Sequence, residues 1–192
     1  MDEILRQLDG TTNVLLTESS IGDNWEFVTS LLRKQPSVPN VLFVTYTRPA
    51  SLYVDQLNGD VSIENAAVIT VGNKSSEVSD ENVLIEPVSS ANDLTSLGIR
   101  MDQFLSQWGD STLIYFDSLT PMLQYVTLRA AYEFVHTVTG RISQSEAQSC
   151  FCITPEAHDE KEVAALTSLF DAKLSLEEPP SVQRRDIPEP LR

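Results

Sequence analysis

The chain predicts a three-layer α/β/α fold on a mainly parallel sheet. Three observations carry that reading: short apolar runs rich in β-branched residues, helical patterns alternating with them, and runs that are apolar at consecutive positions. Consecutive apolar positions suit strands covered on both faces, whereas a one-sided strand would alternate. The runs are Val14 to Thr17, Val41 to Tyr46, Ala66 to Val71, Val83 to Val88, Leu113 to Phe116, Ser149 to Thr154 and Ala172 to Leu176. At 192 residues the chain suits one core. We therefore expect one α/β domain over residues 1–177 and a tail over 178–192.

From Val14 to Trp25 the chain has the layout of a phosphate-binding strand, loop and helix without the residues that hold phosphate. Laid over the Walker A pattern G-x-x-x-x-G-K-[ST], Thr17 stands for the first glycine, Gly22 for the second, Asp23 for the lysine and Asn24 for the metal-binding hydroxyl. The lysine would bring a positive charge to the phosphates, worth about 4 kcal/mol at about 4 Å and an effective dielectric of about 20. Asp23 reverses that sign. Asp23 instead predicts a helix N-cap, with Glu26 at capping-box spacing before Phe27, Val28, Leu31 and Leu32.

The second strand ends Val44-Thr45-Tyr46-Thr47-Arg48-Pro49, and the polar stretch from Gly72 to Asn82 reads as a surface loop between strands. Asn92 or Asp93 caps a helix whose apolar positions are Leu94, Leu97, Met101, Phe104, Leu105 and Trp108. Asp117 closes the fifth strand, followed by Ser118, Thr120 and Pro121. That order suits a carboxylate accepting backbone N–H bonds at a helix start. Thr127 starts another helix, with Leu128, Ala131, Tyr132, Val135, Thr139 and Ile142 as its stripe and Gly140 weakening its last turns. Asp159 and Glu162 repeat the capping-box spacing ahead of Val163, Leu166, Leu169 and Phe170. From Glu177 onward four prolines and little apolar periodicity predict an extended or disordered tail.

Asp and Glu total 28 against 13 Lys and Arg, a net charge of −15. Such a surface repels nucleic acid and anionic membranes, and a salt-rich cytoplasm, which screens self-repulsion, is one natural setting. Cys150 and Cys152, two apart, share a strand face as buried, inert thiols. With His136 and His158 the only histidines, no metal site is expected, and His158 beside Asp159 reads as a satisfied loop histidine. There is no apolar leader and no apolar run near the roughly 20 residues that span a bilayer, so the expected location is the cytoplasm.

At Leu113-Ile114-Tyr115-Phe116-Asp117-Ser118-Leu119-Thr120 the chain resembles the Walker B strand of RecA/KaiC-type ATPases, members of the P-loop NTPase fold. Further segments are similar to an uncharacterised haloarchaeal family of KaiC-like proteins without a P-loop. They are Leu94 to Ile99, Phe116 to Thr120 with Gln124-Tyr125-Val126, Thr139-Gly140-Arg141, Pro155 to Asp159, and Leu169 to Ala172. The likeness covers roughly residues 12 to 177. It implies that Asp117 would hold a magnesium-bound water, that a carboxylate near the end of the second strand would activate the attacking water, and that subunits would assemble in rings around nucleotide. The lysine, the metal hydroxyl and that carboxylate are absent here. The expectation is therefore a non-hydrolytic domain acting as a protein-interaction or regulatory module, with no enzyme activity, catalytic residue, cofactor or metal, binding another protein as a monomer or weak homodimer. Its rim would include Glu18, Ser19, Ser20, Asp23, Asp117 and Ser118, with the two loops meeting there. The alternative is a nucleotide or small-anion site at residues 18–24, built from Ser19, Ser20 and Gly22 with Asp117 and Ser118. A third, an enzyme of another class using Asp117 or His158, lacks a motif that places a nucleophile.

Overall fold

The computed structural model describes residues 1–17, 24–35, 39–57, 62–72, 82–177 and 179–185. Among the described residues eight strands form one sheet: β1 (Asn13–Thr17), β2 (Asn40–Thr45), β3 (Ala66–Val71), β4 (Val83–Val88), β5 (Thr112–Asp117), β6 (Gln148–Ile153), β7 (Ala172–Ser175) and β8 (Ser181–Arg184). Their spatial order is β4-β3-β2-β5-β6-β1-β7-β8, with every neighbouring pair parallel except β7 and β8. β1, β2, β3 and β5 are buried at every position, which is why they read as unbroken apolar runs. β4, at one edge, is half exposed and tolerates Pro87.

Alternate side chains face two separate cores. On one face Val14, Leu16, Phe43, Val68, Tyr115 and Leu174 pack under α1 (Asp2–Gln7), α2 (Trp25–Lys34) and α3 (Ala50–Leu57). Cys150 and Cys152 lie here, buried and not joined in a disulfide. On the other face Leu15, Leu42, Ile69, Phe116, Phe151 and Ile153 pack under α4 (Leu94–Trp108), α5 (Leu119–Met122), α6 (Leu128–Gln144) and α7 (Glu160–Thr167). Phe116 and Phe151 stack there with ring centroids 4.8 Å apart. No described helix is long and apolar enough to cross a membrane.

The caps divide into those that form and those that do not. Asp93 caps α4 by accepting the Ser96 N–H at 2.9 Å, and the Ser96 hydroxyl donates to it as well at 2.7 Å, which holds the carboxyl below its usual range. Thr127 caps α6 through the Ala130 N–H at 3.2 Å, and the helix runs through Gly140 to Gln144. Tyr132, assigned by spacing to the buried stripe of α6, is exposed and stacks on His136; Phe134 and Val138 are buried on that stripe. Asp159 stands ahead of α7 without a side-chain cap bond; the Glu162 N–H donates to the Asp159 carbonyl at 2.9 Å, and the Glu162 carboxylate turns to His158, its Oε2 3.9 Å from Nδ1. Asn24, not Asp23, occupies the cap position of α2, also without a cap bond; Asp23 lies outside the described residues.

One element departs from the sequence expectation. Within the stretch expected to be a tail, Ser181–Arg184 pairs antiparallel with β7 as β8. Of the loop expected between Gly72 and Asn82, residues 73–81 lie outside the described set. Gly72 opens it at φ 83, and a Cβ there would meet the Ala91 Cβ at 3.3 Å, so glycine suits the site on both counts.

Candidate functional site

The chain order and the sheet order together create a switch point between β2 and β5. β2 feeds α3 on one face, β5 feeds α5 and α6 on the other, and the two strands lie side by side with Thr45 opposite Asp117. In open α/β sheets such divergence leaves a crevice at the strand carboxyl ends, where ligands bind. Here the chain's own side chains fill it.

The turn after β2 is closed by Thr45. Its hydroxyl accepts the Arg48 N–H and donates to the Arg48 carbonyl, both at 3.0 Å, and the Tyr46 N–H donates to the Asp117 carbonyl at 3.2 Å. Pro49 then leads into α3 with its fixed φ. This turn sets Arg48 Nε 3.0 Å from Asp117 Oδ2, and α3 carries the Tyr53 hydroxyl to the same oxygen at 2.6 Å. Tyr53 also stacks on Phe43, centroids 4.6 Å apart, which fixes the ring.

The result is a closed cluster. Asp117 is 5 % exposed and Tyr53 3 %, while the Arg48 side chain, at 23 %, reaches toward solvent. Burial, and then the neighbouring Asp117 charge, pushes the Tyr53 phenol above its ordinary range, so it serves as a donor. A carboxylate that takes a guanidinium and a phenol on one oxygen has its charge matched within the protein. A divalent ion held by that oxygen would have to compete with Arg48 for it. Among the described residues no cluster of three metal-ligating side chains exists.

The expected backbone-capping role for Asp117 therefore gives way to a side-chain role, because Arg48 and Tyr53 reach the carboxylate across the strand pair. Ser118, joined to Asp117 by a cis peptide, is buried at the start of α5 and makes no side-chain cap bond. His158 Nε2 lies 3.0 Å from the Thr120 hydroxyl, which also accepts the Thr154 N–H at 2.9 Å. That hydroxyl ties the end of β6 to α5, and His158 is satisfied as a loop histidine should be.

Glu18, Ser19, Ser20, Gly22 and Asp23 lie outside the described residues, as does any contact of theirs with Asp117. β1 and β5 are separated by β6, so the ends of the two strands stand roughly 10 Å apart, twice the spacing of neighbouring strands. Thr17, the last described residue of β1, turns its hydroxyl to the Leu174 carbonyl at 3.1 Å. The residues that sequence reasoning missed are Arg48 and Tyr53. Arg48 stood in view, at the place searched for a carboxylate.

The profile of DUF7504, a family of unknown function, matches residues 11–176. This chain is a DUF7504 protein. Two solved structures from Pyrococcus horikoshii share its fold. One, from strain OT3, has a TM-score of 0.65 at 14% identity, covering 97% of this chain and 93% of its own. The other, an uncharacterized protein in complex with an unknown peptide, has a TM-score of 0.65 at 13% identity, covering 98% and 91%. No curated protein matches the DUF7504 chain.

Proposed function

We propose that this DUF7504 protein is a non-hydrolytic RecA/KaiC-like domain that works in the cytoplasm as a protein-interaction or regulatory module, as a monomer or weak homodimer. The observation that carries this reading is the pairing of Asp117 with Arg48 at 3.0 Å. A RecA/KaiC-type ATPase would need that carboxylate for a magnesium-bound water, and the charge is already matched by a group of the same chain. The sequence adds a second support, with Asp23 where a triphosphate needs a cation. A Pyrococcus horikoshii protein of similar fold was solved in complex with an unknown peptide, which fits an interaction role.

Calorimetry with ATP and GTP, each with magnesium and in molar salt, tests the reading. The expected outcome is no saturable binding tighter than millimolar. Tighter binding would favour a nucleotide or anion site at residues 18–24 and overturn the interaction-only role. Light scattering is expected to give a monomer or a concentration-dependent dimer, and a stable hexamer would contradict it.

A further inference from the structure

In a chain of net charge −15, most of the described cations are already matched. Arg6, Lys34, Arg48, Arg100, Arg129 and Arg141 each sit against a carboxylate. Among the described residues Arg33, Lys161, Lys173, Arg184 and Arg185 have no carboxylate partner. The last three line one open groove of about 670 Å³ between α7 and the β7–β8 edge. Val163, Ala164 and Phe170 contribute apolar lining to it, and among the described residues Glu160 is its one acidic lining residue. Glu156 and Glu177 line the adjoining hollow toward the strand carboxyl ends, so the cationic end is the one at Arg185.

Beside this groove runs a strand edge that is open among the described residues. β8 is the last strand in the sheet order and pairs with β7 alone. The Arg185 N–H donates to the Asp171 carbonyl at 2.8 Å, which sets the phase of the ladder. Residues 185, 183 and 181 turn their backbone groups inward to β7, and Val182 and Arg184, one residue out of phase, turn theirs outward. The side chains alternate as well: the Arg184 guanidinium lies on the α1 side, 3.5 Å from the Gln7 carbonyl, while Arg185 reaches the Ser168 carbonyl behind α7 at 3.1 Å.

We infer that the β8 edge receives an extended acidic peptide segment of a partner protein. The segment adds as a further strand through the Val182 and Arg184 backbone groups, with its carboxylates against Lys173 and Arg185 on the α7 face. Strand addition supplies main-chain hydrogen bonds that do not depend on sequence, and the unmatched cations select the sign of the partner. The chain's overall negative charge opposes an acidic partner only weakly at this distance, because the Debye length is about 8 Å at physiological salt. The inference rests on the protein-interaction reading above and names its partner class.

The test is fluorescence anisotropy of the full chain with a labelled decapeptide of alternating Glu and Val, against a Lys and Val control, at about 0.15 M salt. Saturable binding of the acidic probe alone is expected, weakened about tenfold or more by K173E/R185E and by V182P. Proline at Val182 removes an outward N–H and leaves the β7 ladder intact. Should V182P fold poorly by circular dichroism, slowed exchange of the Val182 and Arg184 amides on adding the peptide reports the same contact in the unaltered protein. No binding, equal binding of the basic probe, binding indifferent to V182P with unslowed amides, or displacement by inorganic phosphate would each overturn the inference. So would a dimer formed through β8 that excludes the probe. Tight ATP binding in the calorimetric test removes the interaction-only reading and leaves strand addition measurable. Absent peptide binding with no ATP binding removes the strand site alone.

Discussion

The crevice between β2 and β5 and the edge at β7 and β8 both carry charge at the border of the sheet, and they treat it in opposite ways. In the crevice Asp117 is buried and matched, held by Arg48 and Tyr53 on one oxygen. At the edge Lys173, Arg184 and Arg185 line open space without a carboxylate partner among the described residues. A buried charge matched inside its own chain is costly to unmatch, because removing one partner strands the other in low dielectric. A charge left to solvent contributes little to folding and remains available to another molecule.

The largest expected effect comes from unmatching the crevice. Arg48→Met leaves the Asp117 carboxylate buried without its cation and should cost about 3–5 kcal/mol in denaturant unfolding. Asp117→Asn should cost less, about 1–3 kcal/mol, since the freed guanidinium can swing to water. If the two losses came out equal and small, Asp117 would not be a buried charge that depends on Arg48. Tyr53→Phe sharpens the same point by removing only the donor at 2.6 Å from Asp117, with a loss of about 1–3 kcal/mol.

Alkaline titration probes the crevice and its surroundings together. Tyr46, Tyr53 and Tyr115 are all raised above the ordinary value of 10.0, chiefly by burial. A group whose folded pKa is raised holds its proton longer in the folded state, so stability is complete below pH 10 and declines as pH rises above it. Each such tyrosine should remove about 1.4 kcal/mol per pH unit in that window. Phenolate absorbance from these buried rings should therefore appear together with loss of circular dichroism, and phenolate appearing in a still folded protein would break the assignment. At the edge the smallest change is expected: K173E/R185E should alter unfolding by no more than about 0.5 kcal/mol. A larger loss would mean that these cations serve the fold, and the contrast between the two regions would fail.

The sheet was legible because its parallel strands are buried on both faces and must be apolar throughout, as β2, β3 and β5 are. α4 and α6 were legible from their periodicity and from caps at Asp93 and Thr127. α3 escaped notice because it is short and buries only Ala50, Tyr53 and Val54. β8 escaped because Ser-Val-Gln-Arg has no apolar run, and its strand state comes from pairing with β7. The acid of the crevice could be read from the sequence, but its partners could not. Tyr53 lies 64 residues from Asp117 along the chain, and only the register of Thr45 against Asp117 brings their elements together.

Cys150 and Cys152 lie in the core on the face covered by α1, α2 and α3, both 1 % exposed. A thiol reagent cannot reach either until the helical layer lifts or the whole sheet comes apart, and the two sulfurs on one strand should then react together. The native protein thus carries its own clock: with reagent in enough excess that labelling outpaces reclosing, the rate at which an aromatic disulfide dye develops colour reads the opening rate of the central layer, without any label being introduced.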